Sequence, residues 1–213
     1  MDFTLLNKSV LLVGKRNSGK SQLLRYLVSL SKSHFKTCFL ISPTEKINSF
    51  YAGVIKEENI FDEYKEAWVE TLMKKMAEIN KDKNEHTASH VLLVLDDLIA
   101  DLNFAKSKTI KQLLVRGRHL FISIIITSQY LNSISPLIRS NMDFIAVSQL
   151  NAQGLSLLID NFHMGDISKD QFKKLYFKST TNYGFFLINT SCCQNNDIDE
   201  IYGQISTPKE YIK

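Results

Sequence analysis

The sequence predicts an α/β fold in which a mostly parallel central sheet is flanked by helices. The first observation behind this is a set of short apolar runs, at 9–13, 37–42, 90–97, 119–129, 142–150 and 183–190. None alternates apolar with polar residues as a half-exposed strand would, so each reads as a strand buried on both faces. The second is that stretches with apolar residues three and four apart separate several of these runs. That is the pattern of helices crossing over between parallel strands. The third is length: 213 residues suffice for one such domain with a sizeable core and are short for two. A single domain over 1–213 is expected, with its motifs in 9–150 and helices and a strand in 151–213.

Taken in order, the run "SVLLV" is a short strand that feeds directly into "GKRNSGKS" at 14–21. Leu23, Leu24, Leu27 and Val28 then fall at helical spacing. "TCFLIS" is the second strand, stopped by Pro43. Phe61, Tyr64, Trp68, Leu72, Met76 and Ile79 step by three or four and predict an amphipathic helix, its Lys- and Glu-rich side a solvated face. "HVLLVLDD" is the third strand and "IKQLLV" a helix. "HLFISIIITSQ" is the fourth strand, "MDFIAVSQL" the fifth and "YGFFLINT" the sixth.

Composition excludes several classes. Hydrophobic residues at 44% and charged residues at 23% are ordinary for a soluble globular chain. The longest apolar runs fall far short of the ~20 residues of a membrane-spanning helix, so no membrane insertion is expected. No signal segment precedes the first strand, and no separate N-terminal domain is expected there. Cys38, Cys192 and Cys193 make no disulfide framework and read as reduced thiols of an intracellular protein. His86 and His90 have a spacing found in some zinc sites, but no Glu lies between them and no third ligand is evident. A net charge of +4 permits contact with nucleic acid without requiring it.

The chemistry begins at 14–21, which fits G-x-x-x-x-G-K-[ST] between a strand and a helix, the context that this phosphate-cradling loop requires. Gly14 and Gly19 let the backbone of Lys15, Arg16, Asn17 and Ser18 curl so that N–H groups face phosphate. Lys20 is expected to reach the β- and γ-phosphates of ATP, and the Ser21 hydroxyl to ligate Mg²⁺. A strand ending in acid supports this independently: Asp96 is expected to hold the Mg²⁺. Asp97 then orients or activates the attacking water, or else only caps the following segment. Gln129, at the tip of the fourth strand, is placed to touch the γ-phosphate or that water. The strand at 37–42 separates the loop strand from the acidic strand in sequence. A strand inserted between those two in space marks the additional-strand class of P-loop NTPases, which is the class expected here.

Five stretches together resemble the genome-packaging ATPases of large DNA viruses with internal membranes, the poxvirus-like branch of the FtsK/HerA motor class. They are "GKRNSGKS", "ISPTEKINSFY", "VLLVLDD", "RGRHLFISIIITSQY" and "SPLIRSNMDFIAV", in that order over residues 10 to about 147. The resemblance implies a homo-oligomeric ring that hydrolyses ATP with Mg²⁺ and drives double-stranded DNA, whatever its sequence, into a preformed capsid. It implies a capsid or portal component as partner, and a location in the host cytoplasm at the viral assembly site or within the virion. It assigns nucleotide and Mg²⁺ binding to Lys20 and Ser21, the acid pair to Asp96 and Asp97, and a sensor role to Gln129. It also implies an arginine supplied by the neighbouring subunit, for which Arg118 is the first choice and Arg116 and Arg139 the next; Arg118 also suits a helix-end cation, and His119 local packing. DNA contact is expected from pore-facing loops, with basic stretches at 106–108 with Lys111 and at 169–174 as candidates or as solvated faces. The alternative is another P-loop ATPase, either a cellular or plasmid DNA pump or a small-molecule kinase. A kinase would need an Arg-rich lid after the acid pair, which is absent from the sequence.

Overall fold

The computed structural model describes residues 3–45, 49–98, 104, 106–192 and 197–211. Residues 46–48 of the second quoted stretch, and Cys193, lie outside the described residues. The strands are β1 (Ser9–Val13), β2 (Thr37–Ile41), β3 (Ile60–Phe61), β4 (Val91–Leu95), β5 (Ile122–Ser128), β6 (Phe144–Val147), β7 (Phe185–Asn189) and β8 (Tyr202–Ile205). The longer helices are α1 (Lys20–Ser31), α2 (Glu66–Ile79), α3 (Lys108–Arg116), α4 (Pro136–Ser140), α5 (Ala152–Phe162) and α6 (Lys169–Ser179).

These strands form one sheet in the order β3-β2-β4-β5-β1-β6-β7-β8. From β3 to β6 every pairing is parallel, and the last two are antiparallel. The sheet is therefore mostly parallel, as expected, and its strands are buried where they read as uninterrupted apolar runs. Successive side chains go to opposite faces: Leu11 and Val13 join one core with Leu93 and Leu95, while Val10 and Leu12 join the other with Leu92 and Val94. Helix α1 covers the second face through Leu23, Leu24, Leu27 and Val28. Helices α2, α3, α5 and α6 cover the first.

The strand inserted between the loop strand β1 and the acidic strand β4 is β5. The strand at 37–42, which separates the two in sequence, lies outside that pair as β2. The additional-strand expectation holds, but through a strand that comes later in the chain. Other boundaries also shift. The predicted helix through Phe61 and Tyr64 starts only at Glu66. Phe61 is instead in the edge strand β3, its ring 4.7 Å from Trp68, and Tyr64 packs edge-on against Phe104. Their spacing imitated a helix because both reach the same core from the chain that leads into it. The fourth strand begins at Ile122, since Gly117–Leu120 form a 3₁₀ turn and Phe121 is left-handed at φ 57°. Strand β8 was not anticipated; Gly203 and Gln204 break its apolar run.

Caps fix the helices that lead to the site. Ser135 accepts a bond from Ile138 N–H, with Pro136 in the first turn of α4. Ser168 and Gln171 form a reciprocal capping box at the start of α6. That helix aims Tyr176 at the end of β6, where its hydroxyl donates to the Ser148 carbonyl (3.2 Å) and accepts from Leu150 N–H (2.6 Å).

Candidate active site

Parallel strands carry their functional groups at their carboxyl ends, and here the tips of β4, β5, β1 and β6 lie side by side. Gly14 follows β1, and its N–H donates to the Ser128 carbonyl at 3.0 Å. A Cβ on Gly14 would stand 2.3 Å from Ser18 Oγ and 2.6 Å from Ser148 Oγ, so any side chain here would displace both hydroxyls. Asn17 and Gly19 have φ of 61° and 85°, and Gly19 opens α1. Left-handed residues in such a turn direct successive N–H groups toward one point, and α1 adds its own unpaired N–H groups at the same place.

Lys20 is 6% exposed, which is unusual for an ammonium. Its Nζ lies 2.5 Å from Asp97 Oδ1. Asp97 has a left-handed backbone at φ 52°, and its N–H donates to Thr127 Oγ1 at 3.0 Å. A cavity of about 300 Å³ brings together Lys20, Ser21, Asp97, Gln129 and the loop from Lys15 to Gly19. The residues expected to meet phosphate and water therefore line one space.

Asp96 sits beneath it, 5% exposed. Its carboxylate accepts from Thr127 Oγ1 (2.6 Å), Ser42 Oγ (3.3 Å) and the Tyr51 hydroxyl (3.3 Å). Burial pushes its pKa above the ordinary carboxylate value and Asp97 adds to this, against the Thr127 bond, Lys20 and the Ser42 bond. Burial, followed by the Asp96 charge, raises the Tyr51 pKa well above its usual value and keeps the phenol protonated. Ser21 is among the groups that lower it, so it stands near the same phenol that bonds Asp96. Tyr51 is itself held by Glu45, whose Oε1 accepts its N–H at 2.6 Å. Two oxygen donors flanking one phenol suit a hard divalent cation. The donors present fit ATP with Mg²⁺.

Sequence reasoning missed Thr127, Ser42 and Tyr51. All three act across strand order, and the sign of them was that Ser42 and Tyr51 lie in the quoted stretch 41–51 and Thr127 in the quoted stretch 116–130.

The three arginines separate. Arg139 is 8% exposed and donates to the Ile134 carbonyl at 2.5 Å, while its Nε has no partner among the described residues. Arg116 and Arg118 are exposed. Both precede β5, at the end of the sheet opposite the loop. Arg118 lines a separate cavity there with Lys8 and Asp143. Neither arginine lies at the phosphate loop of its own chain.

A family model described as Poxvirus A32 protein matches residues 4–201. Uncharacterized protein 075L of Invertebrate iridescent virus 6 is 31% identical over 198 residues, which are 91% of this chain and 75% of that protein. Among solved structures, B204, the DNA-packaging ATPase from Sulfolobus Turreted Icosahedral Virus, matches with a TM-score of 0.65 at 17% identity, over 96% of this chain and 100% of that one. The genome packaging NTPase B204 from Sulfolobus turreted icosahedral virus 2, in complex with AMPPCP, gives a TM-score of 0.65 at 15% identity over 94% and 98% of the two chains. At such identities the structures share the fold. The family match covers nearly the whole chain, and with the loop and acid pair in place the protein belongs to the poxvirus A32 protein family as a P-loop ATPase.

Proposed function

We propose that the protein is an ATP-driven translocase of double-stranded DNA that packages a viral genome into a preformed capsid. The observation that carries this is one cavity holding Lys20, Ser21, Asp97 and Gln129, in a chain of the poxvirus A32 protein family whose fold is that of packaging ATPases. In this reading Gly14 to Gly19 wrap the phosphates and Lys20 meets the terminal one. Because Lys20 and Asp97 are 2.5 Å apart, Asp97 stands at the γ-phosphate end, where its carboxylate can take a proton from the attacking water. Gln129 orients that water from the tip of β5. Ser21 and Asp96 would hold Mg²⁺, with Tyr51 and Thr127 fixing the Asp96 oxygens. The cation, when bound, neutralises charge developing on the phosphates. Arg118 of a neighbouring subunit would stabilise the transferring phosphoryl group, which makes a homo-oligomeric ring the working form. A capsid or portal component would dock on its outside.

Displacement of a triplex-forming oligonucleotide from a long duplex tests translocation directly. The wild-type chain displaces it with ATP; Lys20→Ala and Asp97→Asn fold but do not. If the wild type hydrolyses ATP yet leaves the triplex in place, the translocase reading fails and another kind of P-loop ATPase takes its place.

A further inference from the structure

A second cavity opens on the other side of the phosphate loop, toward β6 and β7. Its volume is about 330 Å³, and Lys15, Ser18, Ser148, Gln149, Thr180 and Tyr183 are among its lining residues. The two cavities share Lys15, Asn17 and Ser18, so they are separated only by the loop. The strand order β5-β1-β6 explains the arrangement: the loop leaves β1 between the tip of β5, which carries Gln129, and the tip of β6, which carries Ser148. Asp97 and Gln129 mark the terminal-phosphate end of any nucleotide laid across β1. Its nucleoside must then extend toward β6.

What stands on that side is built for a ligand. Ser148 is 3% exposed, and its Oγ has no hydrogen-bond partner among the described residues; the Ser18 Oγ beside it is also unpaired. Buried hydroxyls are rarely left so, because the lost hydrogen bond costs free energy. Over the cavity stands Tyr183, 65% exposed and with no ring partner among the described residues. It approaches the loop closely, its Cβ 3.5 Å from where a Gly19 Cβ would be. Its turn is rigid: Gly184 N–H donates to the Thr181 carbonyl (2.8 Å), and a Cβ on Gly184 would stand 2.3 Å from the Ser179 carbonyl oxygen. Asn182 and Tyr183 both have left-handed backbones, at φ 51° and 59°. A large aromatic ring is thus held out over a polar cavity next to the phosphate cradle.

We propose that this cavity receives the nucleoside of the bound nucleotide, with the Tyr183 ring against the base and Ser148 and Gln149 meeting base or ribose polar atoms. The inference rests on residues 14–21 being the triphosphate cradle, and on nothing concerning DNA. The other aromatic near the loop, Phe50, lines the first cavity, but the Arg25 guanidinium already lies over its ring at 5.5 Å. It also adjoins Tyr51, which bonds the candidate metal ligand Asp96, so a base there would have to fold back over the phosphates.

Calorimetric titration with ADP and with inorganic tripolyphosphate, both with Mg²⁺ and without DNA, tests it on the full chain. Base stacking on an aromatic ring predicts that Tyr183→Ala weakens ADP about tenfold and leaves tripolyphosphate unchanged, while Tyr183→Phe binds both like wild type. Tyr183→Asn, which keeps the left-handed turn, must repeat the Ala result. Equal weakening of both ligands, or unchanged ADP binding, overturns the proposal, as does a base-selective loss in Phe50→Ala in place of Tyr183→Ala. A wild-type chain that binds neither ligand overturns the cradle reading as well.

Discussion

Asp96 is an acid placed where ionisation is disfavoured, chiefly by burial and further by its neighbour Asp97. Three hydroxyls offset part of this, and a bound cation would offset the rest. Without divalent metal, folding therefore carries an electrostatic penalty at neutral pH. The folded pKa lies above the unfolded one, so the penalty is absent below the unfolded value and grows as pH rises through the folded value. Asp96→Asn should raise Tm by about 2–4 °C at neutral pH in chelator, with the gain shrinking toward acid pH, while abolishing Mg²⁺-dependent turnover. Thermal unfolding of the two proteins over a pH series checks it; a lower Tm for the variant at neutral pH would mean that the carboxylate is stabilising. At this scale the motif residues Lys20, Ser21, Asp97 and Gln129 were legible, since local order in the chain places each. Thr127 and Tyr51 were not, because only the strand order brings a β5 hydroxyl and a loop phenol to an acid on β4.

Among the elements, the pairing of β1 with β6 brings Ser148 to the phosphate loop, and one carboxylate staples its far end. Asp143 accepts from Ser9 N–H at 2.8 Å and pairs with Lys8 at 3.4 Å, and Ser191 adds a further bond. Burial alone would raise its pKa, but the Ser9, Lys8 and Ser191 contacts outweigh it and hold the carboxyl below the usual range. Asp143→Ala leaves the Ser9 N–H unsatisfied and should cost about 1–3 kcal/mol in denaturant titration at neutral pH. The folded pKa is depressed here, so the contribution is present above the unfolded value and disappears as pH falls through the folded value; wild type and variant should converge in acid. A constant gap across that range would put the effect in packing. The strand itself was legible as an apolar run. Its staple was not, since Asp143 is 134 residues from Ser9 in sequence.

For the whole molecule, the sheet order was the least legible feature, because apolar runs identify strands without ordering them. That order puts Arg118 at the end of the sheet away from the loop, with the exposed Val115 beside it in the same cavity. If Arg118 serves a neighbouring subunit, Arg118→Ala should bind ATP normally and hydrolyse it poorly. Mixing it with Lys20→Ala should restore part of the turnover, because some interfaces then join an intact arginine to an intact loop. Mixed oligomers with no recovery would move the role to Arg116 or Arg139.

ATP turnover with and without duplex DNA tests the central claim most directly. A motor that follows a whole genome grips phosphates and does not read bases, so unrelated duplexes should stimulate turnover alike. The stimulation should weaken steeply between low and moderate salt, as counterions compete for the phosphates. Equal turnover with and without duplex, in protein confirmed to be oligomeric, would contradict the account.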